Sequence, residues 1–152
     1  MSEYKQILDR AARICSSSEK CSQDIRDKII SWGLEAEEAD KAVRYLIENK
    51  FIDDSRFASY FVRDKLKFNK WGRIKIRFAL RQKHIDEDIA EDCLSQIDPL
   101  LYNEILDELI QKKIKAIGSI KTAANKAKLL RFAAQRGFTS SEIFASIDRL
   151  KD

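Results

Sequence analysis

Apolar residues recur along this chain at helical intervals, and one arrangement returns three times. Leu34, Ile85 and Phe138 serve as anchors for the stretches Ile25–Leu46, Ile76–Ile97 and Leu129–Leu150. Nine residues before each anchor stand Ile25, Ile76 and Leu129, and five before it stand Ile29, Leu80 and Ala133. Twelve after it stand Leu46, Ile97 and Leu150. A spacing of four keeps side chains on one face of an α-helix. Each anchor follows Gly33, His84 or Gly137, a turn position where glycine suits a left-handed helix stop. The anchors lie 51 and 53 residues apart, which reads as an internal repeat.

Each repeat has room for three helices. The pattern predicts them over about 3–15, 22–32 and 36–49, then 55–68, 73–83 and 87–97, then 99–117, 121–136 and 140–151. The corresponding units are 1–50, 51–97 and 98–152. Start signals support several of these helices. Asp54 can cap the helix through Phe57, Phe61 and Leu66, and Asp86 the one with Cys93 and Leu94. Asp98-Pro99 places a capping residue before proline, and Thr139 with Glu142 has capping-box spacing. Residues 74–81 alternate with period two, as a strand would, but no partner strand is in evidence and the repeat alignment makes them helix. Four Gly and one Pro in 152 residues argue against a turn-rich β chain. The expected fold is all-α, with three tandem three-helix repeats forming an elongated, curved array. Units of this size bury little surface alone and gain by stacking.

Charge adds a second pattern. The formal net charge is +4. Within it, residues 63–83 hold nine cations against Asp64 alone, residues 86–108 hold nine acids and no Lys or Arg, and residues 112–136 hold eight cations and no acid. Basic blocks on helices are candidate phosphate contacts. The plainer account is that they are solvated faces paired with the intervening acidic block.

Catalysis finds little material. There is no GxxxxGK[ST], GxGxxG or HExxH. The one histidine, His84, falls at a turn, and Cys15, Cys21 and Cys93 have no obvious base and no CxxC pairing. An odd cysteine count reads as cytosolic thiols. Adjacent Asp53 and Asp54 rarely converge on one ion, and capping accounts for them, with Arg56 a pairing candidate for either. No metal site, cofactor or enzymatic activity is expected. No apolar run is long enough for a membrane span, and the first residues carry acids rather than a signal's apolar stretch.

Binding has more to work with. If Ile76 and Leu80 face inward, Arg73, Arg77 and Arg81 form a stripe at i, i+4 and i+8, flanked by Lys70, Lys75 and Lys83. Trp71, beside Gly72, is an aromatic among cations, able to stack on an unpaired base or to plug a helix junction. Lys121, Lys126, Lys128 and Arg131 make a second, looser set.

The run Phe51-Ile52-Asp53-Asp54-Ser55-Arg56-Phe57-Ala58, followed by Gly72-Arg73-Ile74, Leu80 and Lys83-His84-Ile85, resembles the RecX family of recombination regulators. That family carries a similar F-[IL]-D-D-x-R-[FY]-A run, then a glycine, a basic helix and a K-G-[IV] turn. The likeness is close over about residues 43–97, with His84 standing where the family usually has glycine. It implies three three-helix repeats and no catalysis. It also implies a cytoplasmic, monomeric bacterial protein that binds the RecA recombinase and its filament on single-stranded DNA and inhibits its ATPase and strand exchange. That role belongs to homologous recombination, DNA repair and the SOS response. In the shared motif, Phe51, Ile52 and Phe57 read as core, Asp53 and Asp54 as caps, and Gly72 as a junction residue. Binding is expected from Arg73, Lys75, Arg77, Arg81 and Lys83, with Lys70 and Trp71 next. Two other readings stay open, a general DNA-binding helical module and a helical scaffold for acidic proteins.

Overall fold

The computed structural model describes residues 2–151, so the outermost residue of the first and of the third unit lies outside it. Among the described residues there are nine helices and no strand. Unit one holds α1 (Glu3–Ser17), α2 (Ser22–Ser31) and α3 (Ala36–Glu48). Unit two holds α4 (Asp54–Lys67), α5 (Arg73–Gln82) and α6 (Glu87–Ser95). Unit three holds α7 (Pro99–Ile117), α8 (Ala123–Gln135) and α9 (Ser140–Leu150).

The repeat has a backbone basis. Each second helix ends on a left-handed residue: Gly33 (φ +117°), His84 (φ +57°) or Gly137 (φ +99°). The next residue, the anchor, sends its N–H five residues back: Leu34 to Ile29, Ile85 to Leu80, Phe138 to Ala133. The left-handed residue sends its own N–H three back, to Ile30, Arg81 or Ala134. This is the Schellman stop, and its apolar contact between anchor and helix explains why those two positions repeat as a pair. All six of those apolar residues are buried.

Caps follow the sequence with one correction. Asp86, Asp98 and the Thr139–Glu142 capping box act as expected. For α4 the cap is Asp53, whose carboxylate accepts from the Arg56 N–H at 3.1 Å, and not Asp54. Asp54 is instead the first helical residue, and its carboxylate faces unit one. Helix α8 starts at Ala123, two residues later than the pattern predicts, because Thr122 caps it through the Asn125 N–H. The segment 74–81 is helical: Ile76 and Leu80 are fully buried, while Ile74 and Phe78 are 50% and 58% exposed. The period-two alternation came from apolar residues on both the inner and the outer face of one helix.

Two apolar clusters hold the chain. One lies in unit one, running from Ile7 through Ile25 and Ile29 to Leu46, and takes in Ile52 from the start of unit two. The other is continuous across units two and three, from Ala58 and Ile76 through Tyr102 and Ile110 to Phe138 and Ile147. Cys21, fully buried, is the residue preceding α2 that packs into this second cluster.

Candidate functional site

The basic stripe of α5 is largely committed to its own chain. Arg73 lies with its guanidinium 3.9 Å from the centre of the Tyr102 ring and pairs with Glu142 of α9 at 3.4 Å. Its backbone N–H donates to the Tyr102 hydroxyl at 3.0 Å. Burial pushes the Tyr102 phenol up to about 12, and the hydroxyl donates to Glu142. Arg77 donates twice to Glu91 of α6, and Arg81 reaches Glu87. The hydrogen bond from Arg77 holds the Glu91 carboxyl below the usual carboxylate range. Thus the acidic block after α5 neutralises the outer turns of α5, as the plainer account of the charge runs has it.

The family motif lies at the seams between units. Ser22 donates to Asp54 from its N–H at 2.8 Å and its hydroxyl at 2.7 Å. Lys83 pairs with Asp24 at 2.8 Å, and this hydrogen bond raises its pKa. Arg56 pairs with Glu19 of unit one, rather than with Asp53 or Asp54 as its spacing suggests. Phe51 and Ile52 pack on the unit-one cluster, Phe57 on the other. Gly72 meets unit three backbone to backbone: its N–H donates to the Arg136 carbonyl at 2.7 Å, and the Ile74 N–H to that of Gly137 at 3.1 Å. A Cβ at Gly72 would collide with the Gly137 carbonyl. The glycine of the motif is therefore required by close approach of two backbone segments of the chain.

Other cations have no carboxylate within 4 Å among the described residues. Lys121, Lys126, Lys128 and Arg131 are all exposed on or beside α8 in this state. Lys65 and Lys75 are likewise without an acid and lie 4.9 and 4.7 Å from the centre of the Trp71 ring. Lys75 also donates to the Gln135 carbonyl, and Lys70 to the Lys67 carbonyl. Trp71 is half-buried and packs on the shared cluster of units two and three, so it serves as a junction plug that keeps part of its ring accessible. Phe61, Lys65 and Phe78 join it around one cleft and were not singled out from sequence. The surplus apolar residues of the period-two segment were the signal.

Distribution of charge among the three helices of each unit bears on what they bind. In helix-turn-helix DNA readers the later helix of the motif enters the groove. Here α6 carries four acids and no base, and α3 carries four acids against Lys41 and Arg44. The second helices α5 and α8 carry four and three cations and no acid. By charge, phosphate contact therefore suits α5 and α8 rather than α2, where Asp24 and Asp27 offset Arg26 and Lys28, and groove reading does not suit α3 or α6. The three cysteines are buried; burial pushes Cys21 up to about 11 and also raises Cys15, so neither is an activated thiol. No cluster of three His, Cys, Asp or Glu able to hold a metal, and no helix long and apolar enough to cross a membrane, occurs among the described residues.

Comparison with known proteins gives a consistent result. Residues 53–94 match the model for the second three-helix domain of RecX, and residues 102–147 the model for the third. A regulatory protein RecX from Prosthecochloris aestuarii is 30% identical over 149 residues, covering 98% of this chain and 96% of the relative. The one from Clostridium tetani is 29% identical over 151 residues, but this chain spans only 68% of it. For the Clostridium botulinum Eklund 17B relative, 36% identical over 121 residues, the span is 56%. The crystal structure of RecX from Lactobacillus salivarius superposes with a TM-score of 0.86 at 22% identity, covering 97% of this chain and 96% of that one. Matching domain models, near full-length likeness to a relative and the shared fold place this chain in the RecX family.

Proposed function

We propose that this chain is a non-enzymatic regulator that binds the RecA recombinase filament on single-stranded DNA and lowers its ATPase and strand-exchange activity. The observation that carries this reading is membership of a family of regulatory proteins, joined to a second helix of unit three, α8, whose cations have no acidic partner among the described residues. Lys121, Lys126, Lys128 and Arg131 are the phosphate-facing set in this reading, with Lys70, Trp71 and Lys75 on the neighbouring unit. Arg73, Arg77, Arg81 and Lys83 hold helices and seams in place, and reach a partner only by exchanging their present acids for it.

The test is ATP hydrolysis by the cognate recombinase on single-stranded DNA, titrated with this protein, beside a binding titration on the same DNA alone. Inhibition well below saturation of the DNA is the expected result. Inhibition only once the DNA is coated favours a second reading, a DNA-binding module that competes for the strand. The free cations of α8 are the observation behind that alternative. No inhibition at any ratio overturns the proposal.

A further inference from the structure

Helix α5 breaks the pattern that a scaffolding helix should follow. Its inner stripe, Ile76 and Leu80, is fully buried, yet Ile74 and Phe78, one turn apart on another face, stand 50% and 58% exposed. Phe78 borders a cleft of about 530 Å³ whose wall also includes Phe61, Trp71, Lys65, Lys75 and the mutually paired Lys83 and Asp24. The lysines there differ from their neighbours on α5. Arg77 and Arg81 spend their charge on Glu91 and Glu87, whereas Lys65 and Lys75 have no carboxylate within 4 Å among the described residues. Both ammonium groups rest within 5 Å of the Trp71 ring centre, on long stems that can swing outward. An aromatic wall beside cations that have no carboxylate partner suits a ligand with flat apolar faces on a phosphate chain. An acidic peptide matches the charge but not the run of three aromatic rings.

We infer that the Phe61–Trp71–Phe78 cleft is a stacking site for an unpaired base of single-stranded nucleic acid, with Lys65 and Lys75 taking the flanking phosphates. This rests on the reading of single-stranded DNA as a ligand and gives it a place in unit two. Phe78 supplies the open ring face, and Trp71 becomes available as the lysines leave it for phosphate.

The experiment compares binding of an oligothymidylate and of an abasic strand of equal length by anisotropy, for the full chain and for Phe78→Ala and Phe78→Trp. An exposed ring can be removed without disturbing the core, and circular dichroism checks that it has been. Phe78→Ala is expected to weaken oligothymidylate binding about tenfold, leave the abasic strand unaffected and be rescued by Phe78→Trp. Equal binding of both strands by Phe78→Ala and the parent chain overturns the inference. So does a Phe78→Ala variant that keeps its DNA affinity but no longer inhibits the recombinase, since the cleft then meets protein. A parent chain that prefers bases through Phe78 but leaves the recombinase uninhibited upholds the stacking site and sinks the functional reading instead.

Discussion

Between units two and three the backbones themselves touch, whereas between units one and two polar side chains reach across. At the first seam Gly72 and Ile74 donate to the carbonyls of Arg136 and Gly137, and one apolar cluster continues through both units. At the second, Asp54 accepts from Ser22, Lys83 meets Asp24 and Arg56 meets Glu19, while the apolar clusters on either side stay distinct, with Cys21 crossing one way and Phe51 and Ile52 the other. Main-chain contact with no room for a Cβ admits one geometry. Exposed or half-exposed ion pairs compete with water and salt and contribute roughly 0–1 kcal/mol each. Unit one is therefore held by softer means than unit three, and the two seams should fail in different ways.

The largest effect is expected at the backbone seam. Gly137→Ala places a Cβ at φ +99° and against Lys75. Both the conformation and the collision must be relieved, which costs roughly 3 kcal/mol or more. Urea unfolding should show this as a clear fall in midpoint. A variant with an unchanged midpoint would mean that the two backbones have slack between them.

Asp54→Ala tests the other seam. It removes two charge-assisted hydrogen bonds to Ser22 and should cost roughly 1.5–3 kcal/mol. Its neighbour Asp53→Ala removes only the α4 cap, about 1 kcal/mol. Hydrogen exchange sharpens the contrast: Asp54→Ala should speed exchange in α2 and spare α8, while Asp53→Ala should act on the first turn of α4. Equal exchange patterns for the two would remove the distinction between cap and bridge.

Alkali separates the seams again. Burial raises Cys21 from 9.0 to about 11 and Tyr102 from 10.0 to about 12. Each native state holds its proton more tightly than the unfolded chain, so the stability this provides is intact below the unfolded pKa and is lost as pH rises through the folded one. Loss should begin above about pH 9 through Cys21 and extend above about pH 10 through Tyr102. Cys21→Ala should remove the earlier limb of a stability-against-pH curve and leave the later one. A single unshifted limb in both proteins would break the assignment.

How much of this was legible in the sequence follows from the range of each interaction. Helices, caps and Schellman stops depend on residues three to five apart, so Thr139 with Glu142, or Ile85 with Leu80, show directly in the spelling. Seam contacts join residues far apart in the chain, such as Asp54 with Ser22 or Gly72 with Gly137, and no local rule pairs them. The stripe of Arg73, Arg77 and Arg81 was visible as a stripe. Its partners Glu142, Glu91 and Glu87 come from two other helices, so its internal neutralisation was not. Phe78 was spelled out as an anomaly in the period of α5, and only its exposure gives that anomaly a meaning.

The smallest effect concerns the turn between α5 and α6, the one Schellman stop of the three without glycine. His84 sits at φ +57°, within the left-handed region that a side chain can enter at a cost of about 1 kcal/mol, while Gly33 and Gly137 lie at +117° and +99°, where glycine alone is comfortable. His84→Gly should relieve that strain, and it should also free the unfolded chain by a similar amount. The two contributions oppose, so the net change should stay under about 1 kcal/mol in either direction. Gly33→His, the reverse exchange in unit one, gains the same small benefit from a stiffer unfolded chain but must hold a side chain at φ +117°, so it should be clearly destabilising by urea unfolding. If both exchanges proved equally mild, the difference between φ +57° at His84 and +117° at Gly33 would carry no energetic weight, and these turns would be interchangeable despite their different residues.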